Sequence, residues 1–198
     1  MSAREEILAA VRGALAGADR VDTPVPRAYR DTPPPADVVG LFVERAADYR
    51  AHVVRCAEAD VPAAVASALG GLTRVLVPPG FPYPLPFPVD AGESTAELDR
   101  VDAVVTTAAL AIATTGTLVL DHTEGQGRRA LTLLPDTHLC LVRADRVVAD
   151  VPAAIAALDP RRPQTWISGP SATSDIELNR VEGVHGPRNL HILVVDPG

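Results

Sequence analysis

The chain has 198 residues, enough for one domain with a buried core and no need of disulfides. A formal net charge of −7 and an aromatic content of 4% argue against a surface that neutralises nucleic-acid phosphates or stacks bases. Two cysteines, Cys56 and Cys140, lack C-x-x-C spacing and cannot supply the four thiolates of an iron–sulfur cluster. Although 47% of residues are hydrophobic, no unbroken apolar run reaches the ~18–20 residues of a membrane span. The start, Met-Ser-Ala-Arg-Glu-Glu, leads into no signal-peptide apolar region, so a cytoplasmic protein is expected.

Ser2 to Ala16 reads as an amphipathic helix, with Ser2 and Glu5 as a capping box and Ile7, Leu8, Val11 and Leu15 as one stripe. With Gly17 to end it, residues 1–18 form an N-terminal helical segment. Residues 19–36 carry Pro24, Pro26, Pro33, Pro34 and Pro35 among few apolar groups and read as an extended linker. Residues 37–198 then form the main domain. Within it a helix is expected from Asp37 to Tyr49, a strand over 51–56, a helix from Val61 to Leu69 and a strand from Arg74 to Val77. Strand, helix and strand in this order imply a βαβ unit and a parallel sheet.

Gly80 to Pro88 has proline at alternate positions, which excludes helix and central strand and leaves an extended surface loop whose aromatics either anchor it on the core or cover a pocket or a partner surface. Val101 to Leu120 has no charge after Asp102, as suits strands buried on both faces, with Thr114-Thr115-Gly116-Thr117 as a hydroxyl-lined break. Leu131–Leu134 reads as a strand ending at Pro135, bracketed by Arg129 and His138. Further strands are expected over 138–142, 146–148, 165–168 and 191–195, and a short helix from Val151 to Leu158. The alternation points to an α/β layered fold with a mostly parallel sheet. Ligands in such sheets sit beyond the carboxyl ends of the strands, where 114–116 and 169–175 are expected to fall.

The densest collection of chemistry-bearing groups is Trp166 to Glu177, followed by Gly183-Val-His-Gly-Pro187. Gly169-Pro-Ser-Ala-Thr-Ser-Asp175 offers hydroxyls and backbone N–H groups to an anion, or Thr173 or Ser174 simply caps a helix beginning near Asp175. His185 lies between glycines and suits a general acid or base, a ligand together with Asp175 or Glu177, or simply a hydrogen-bonding partner of the turn; no spaced His/Cys set accompanies it as a metal site. Arg129, beside the glycine-rich Glu124-Gly-Gln-Gly127, suits a two-pronged grip on a carboxylate. Gly125-Gln-Gly127 lacks the third glycine of a dinucleotide fingerprint. Ser171 has no glycine two residues on, so the nucleophile-elbow pattern fails.

Taken together, Ile112-Ala-Thr-Thr-Gly-Thr117, Arg129 through Pro135 to His138, Ser168 to Glu177 and Gly183 to Pro187 resemble the LUD domain family, the LutC/YkgG type of lactate-utilization protein. The resemblance covers roughly residues 37–196. It implies a three-layer α/β/α fold like the NagB/RpiA/CoA-transferase group. It also implies a role in oxidising L-lactate to pyruvate beside cysteine-rich and iron–sulfur partner subunits, with no cofactor held in this chain. By position, Thr115, Gly116, Arg129, His138, Gly169, Ser171 and Thr173 would bind substrate, and Asp175, Glu177 and His185 would be the catalytic set. Ala172 departs from the pattern, because many relatives have an arginine there.

Three functions stay open at this point. The first is a subunit of a lactate-oxidising system, without a redox centre, that binds a small carboxylate or a partner's cofactor in a cleft. The second is a free-standing CoA-transferase-like or 5-formyltetrahydrofolate cyclo-ligase-like enzyme, which would lack a phosphate-binding lysine because the chain contains none. The third is an assembly or regulatory module without a catalytic site.

Overall fold

The structure, a computed structural model, describes residues 2–18, 24–26, 33–173, 181–182 and 186–198. The chain divides into two units, Met1–Pro33 and Pro34–Gly198. The first contains helix α1 (Ala3–Leu15), where Ser2 and Glu5 form a capping box and Arg12 lies in the last turn, opposite in sign to the helix dipole's end. Most of the expected linker, residues 19–23 and 27–32, lies outside the described residues.

The second unit runs α2 (Val38–Asp48), β1 (His52–Ala57), α3 (Val61–Leu69), β2 (Val75–Leu76), α4 (Thr95–Leu98), β3 (Ala103–Thr107), β4 (Leu110–Ile112) and β5 (Thr117–Leu120). It continues with β6 (Thr137–Arg143), β7 (Val147–Val148), α5 (Val151–Ala157), β8 (Thr165–Ile167), β9 (Ala172–Thr173), β10 (Val181–Glu182) and β11 (Asn189–Asp196). Asp37 caps α2 through the Gly40 N–H, and Gly70 ends α3 in the left-handed region at φ 57°.

A central sheet in the order β1-β11-β6-β3-β2 is parallel throughout. Its strands carry apolar residues on both faces, as a sheet covered on both sides requires. Leu139, Leu141, Leu193 and Val195 meet Val61, Val65 and Leu69 of α3 on one face, where Phe81, Tyr83, Leu85 and Phe87 of the proline-rich loop also pack. On the other face Cys140, Val142, Ile192 and Val194 meet Phe42 and Ala46 of α2 and Leu118 and Leu120 of β5. The fold is thus α/β and layered with a mostly parallel sheet, as expected. The layer opposite α3 is built in part by a second sheet, β7-β4-β5-β8, whose outer face meets Ala154 of α5.

Several local expectations are corrected. β1 and β2 are parallel but lie at opposite edges of the central sheet, so the connection through α3 crosses the whole sheet. Leu131–Leu134 is a run of turns, because Leu131, Thr132 and Leu133 N–H groups donate three residues back, to Arg128, Arg129 and Ala130. The break at 114–116 is the turn of the β4–β5 hairpin in the second sheet, not a loop beyond a central strand. Thr173 sits in β9, paired with Val181, and the helix expected near Asp175 lies outside the described residues.

Candidate functional site

A cavity of about 230 Å³ opens where β6 and β11 begin. His138 and Leu190, second residues of these strands and partners in register, line it from the sheet. Arg129 and Thr132 line it from the turns before β6, Thr165 to Ala172 from β8 and the segment beyond, and Gly186 and Pro187 from the approach to β11. The cavity therefore lies at the amino ends of the parallel strands. This corrects the expectation of a site at their carboxyl ends.

The turn carrying Arg129 is fixed by its neighbour. Arg128 grips Asp90 with two nitrogens, at 3.0 and 2.9 Å, and donates to the Glu93 carbonyl at 2.7 Å. Those bonds hold the Asp90 carboxyl well below the usual carboxylate range, the Arg128 bond being the largest cause. With Arg128 committed to Asp90, Arg129 faces the cavity and donates from Nη1 to the Thr132 hydroxyl at 3.0 Å. That bond leaves its remaining N–H donors for an anion.

His138 is 1% exposed, and its Nε2 lies 2.7 Å from the Thr106 hydroxyl on β3. Thr106 Oγ1 also lies 3.6 Å from Cys140 Sγ. Burial, and then the positive charge of Arg129, lower the His138 pKa to about 3. Burial pushes the Cys140 thiol up to about 12. At neutral pH the described lining of the cavity thus carries a permanent cation, Arg129, beside an uncharged imidazole. Such a pair suits a carboxylate on the guanidinium fork, with a neutral hydrogen-bonding partner next to it.

Backbone shape sets the facing wall. Gly169 has φ 77°, and a Cβ there would lie 2.6 Å from the Tyr49 carbonyl oxygen, so only glycine lets the chain pass α2 so closely. Ser171 N–H donates to the Pro187 carbonyl at 2.9 Å, tying the two segments together. His122 bridges to this wall: its Nδ1 meets the Gly127 carbonyl at 2.8 Å and its Nε2 the Thr165 hydroxyl at 2.9 Å. A carbonyl only accepts, so Nδ1 carries the hydrogen there.

Thr115 lines a neighbouring cavity, with Arg45, Tyr49, Thr117, Trp166 and Ser168. Trp166 and Ser168 border both spaces. A chain of hydroxyls joins Thr115 to Thr117 at 2.8 Å and Thr117 to Ser168 at 2.7 Å. Gly116 touches α2 instead: a Cβ would meet Ala46 N at 2.6 Å, so its place is explained by close packing, not by ligand contact. A third cavity, of about 410 Å³, opens at the carboxyl ends of β3, β6 and β11 among Thr107, Asp121, Gln126, Arg143, Arg146 and Val195.

Of the expected site residues, the structure brings Arg129, His138, Gly169 and Ser171 into one cavity and puts Thr115 in the adjoining one. Thr173 is placed only by its backbone, and Asp175, Glu177 and His185 lie outside the described residues. Among the described residues no group of three His, Cys, Asp or Glu is placed to hold a metal ion, and no helix is long and apolar enough to cross a membrane. Sequence reasoning missed Thr106, Thr132 and Thr165, which read only as good strand or turn residues. Trp166, the sole tryptophan, stood in the motif but was not assigned a site role.

Comparison with known proteins bears on this arrangement. The LUD domain profile matches residues 84–195, which span the whole cavity lining. "Lactate utilization protein C" of Deinococcus radiodurans is 46% identical over 98% of this chain and 95% of its own length. The protein of the same name from Shouchella clausii is 32% identical over 54% of this chain and 49% of its own. A crystal structure of a DUF162 family protein from Deinococcus radiodurans superimposes with a TM-score of 0.69 at 44% identity, covering 81% of this chain and 97% of that one. The chain, with its Arg129–His138 cavity inside the matched region, belongs to the LUD domain family.

Proposed function

We propose that this protein acts in lactate utilization, as a subunit without a redox centre that binds a small carboxylate, L-lactate or pyruvate, in the cavity at the amino ends of β6 and β11. One observation carries the reading. A permanently charged Arg129 and a neutral His138 share a cavity of about 230 Å³ in a chain 46% identical to a lactate utilization protein C. Arg129 takes the carboxylate on its planar fork. His138, uncharged at neutral pH, meets a second oxygen without adding a charge that a monoanion could not balance. Asp175, Glu177 and His185 adjoin the lining residues Ala172 and Gly186 in sequence and remain the proposed proton-handling set. The electrons leaving lactate go to iron–sulfur partner proteins.

The test is add-back. Cells of the native host lacking this chain should lose lactate oxidation, and the wild-type chain should restore it. Arg129→Ala should restore less than a tenth. Full lactate oxidation without the chain would end the proposal.

A further inference from the structure

Thr106 stands outside every motif of the sequence and does not line the cavity, yet its hydroxyl meets His138, a buried ring that does line it. Thr106 and His138 lie on adjacent parallel strands, β3 and β6, and Cys140 is the register partner of Thr106. All three side chains are buried. The hydroxyl has one hydrogen and two neighbours, His138 Nε2 at 2.7 Å and Cys140 Sγ at 3.6 Å. A separation of 2.7 Å is short for an N–H donor, which prefers about 2.9–3.0 Å, and ordinary for an O–H donor. Imidazole nitrogen is also a far better acceptor than a thiol sulfur. The alternative, a 3.6 Å bond from the Thr106 hydroxyl to Cys140 Sγ, is the longer and weaker of the two. The hydroxyl hydrogen therefore goes to His138 Nε2, the nearer and better acceptor.

An Nε2 that accepts requires a neutral ring protonated at Nδ1. Among the described residues nothing bonds Nδ1, and no buried side-chain nitrogen or oxygen lacks a partner. Nδ1 is therefore the ring nitrogen that reaches the cavity. We propose that Thr106 is a positioning residue for this site: its hydroxyl fixes His138 as the Nδ1–H tautomer and so presents an uncharged N–H donor, beside the Arg129 fork, to the carboxylate. The assignment rests on the carboxylate reading above for its ligand, but not for its tautomer.

The experiment uses the full-length chain labelled with 15N-histidine at pH 7, with His138 identified against a His138→Gln sample. The wild-type ring should show a protonated Nδ1 and an unprotonated Nε2. Thr106→Val, which keeps the shape and loses the hydroxyl, should shift both nitrogens toward a mixture of tautomers. Thr106→Ser should keep the wild-type pattern. Titrated with sodium L-lactate, the Val variant should bind at least about tenfold more weakly than wild type and the Ser variant within about threefold. A wild-type spectrum with hydrogen on Nε2, or on both nitrogens, overturns the assignment, and needs no variant to fold. So does a Val variant whose ring nitrogens do not move. If the wild-type tautomer is as stated but L-lactate leaves His138 unmoved, the lactate reading fails and the role of Thr106 as a tautomer lock stands.

Discussion

Strands β6 and β11 open onto a cavity at each end, and the two are built differently. At the carboxyl ends of β3, β6 and β11 the space is larger, about 410 Å³ against about 230 Å³, and carries more charge. Most of that charge is already partnered. Asp121 accepts from Thr123 and Gln126 at 2.7 and 2.8 Å, Arg143 grips Asp145 at 3.0 and 2.8 Å, and Asp159 is bonded by Arg161 at 3.1 Å. At the amino ends, Arg129 has a hydroxyl as its partner, and His138 is buried and neutral. The convention that α/β sheets bind ligands at strand carboxyl ends would choose the first cavity; the Arg129 fork beside a neutral His138 is what supports the second as the proposed site. Volume and topology say where a ligand fits, whereas uncommitted donors say where one is held.

Glycines at the two ends differ in the same sense, and they give the largest expected effect. A Cβ on Gly169 would strike the Tyr49 carbonyl oxygen at 2.6 Å at φ 77°. On Gly125, by the carboxyl-end cavity, it would meet the Thr107 hydroxyl at 3.0 Å and the Gly80 carbonyl at 3.3 Å. Gly169→Ala should therefore lower stability by about 3 kcal/mol or more, and Gly125→Ala by about 1–2 kcal/mol. Urea unfolding of both variants measures the difference. Equal costs would mean that the amino-end wall is no tighter than its counterpart.

Ligand binding makes the comparison directly. Arg129→Ala should weaken L-lactate binding by about 100-fold, the cost of removing a charged partner of an anion, and Arg143→Ala by less than about twofold. Titration calorimetry on the two variants checks this. The reverse order of effects would move the site to the carboxyl ends.

How much of this was legible beforehand depends on the range of the interaction. Caps, helices and strands follow from neighbours in sequence: Ser2 with Glu5, Asp37 with Gly40, and the alternating prolines of 80–88 each act within a few residues. The apolar run Leu131–Leu134 misled, because its residues bury themselves through consecutive turns as readily as through a strand. The site was legible in part. Arg129, His138, Gly169 and Ser171 stood in recognisable motifs, but their meeting depends on the β6–β11 register. Thr106 was invisible, since its importance comes from lying one strand away from His138 in the folded sheet. The division of 103–120 between two sheets was equally hidden, because uncharged Ala, Val and Thr suit either one.

The burial of His138 predicts a stability that falls with acid. Its folded pKa is lowered to about 3 from an ordinary 6.5. Below pH 6.5 the unfolded chain takes up a proton that the folded chain refuses, so stability is full above that pH and is lost as pH falls toward 3. The slope is up to about 1.4 kcal/mol per pH unit. In His138→Gln the acid sensitivity should fall by this amount, leaving the smaller contribution of His191, whose pKa burial also lowers, as followed by urea unfolding between pH 4 and 7. A variant as acid-sensitive as wild type would show that the ring is solvated and that the cavity is open to protons.

The smallest effect concerns the clamp that frees Arg129. Asp90 is 9% exposed, while the Arg128 side chain is 40% exposed, so removing the arginine leaves a buried carboxylate that water reaches only in part. Loss of one partner of a fully buried pair costs about 3–5 kcal/mol; with this exposure Arg128→Ala should cost about 1–2 kcal/mol at pH 7. The folded pKa of Asp90 lies below its ordinary 3.8, so the pair's contribution is complete above that value and is lost as pH falls further. Wild type and variant should therefore approach each other in stability below about pH 4. Binding separates this from a purely structural loss. If the clamp orients the turn, Arg128→Ala should weaken L-lactate binding severalfold even where the variant is fully folded, because Arg129 then samples Asp90 as well as the cavity. An Arg128→Ala protein that is less stable but binds as wild type does would assign the clamp to folding alone and leave Arg129 held by Thr132.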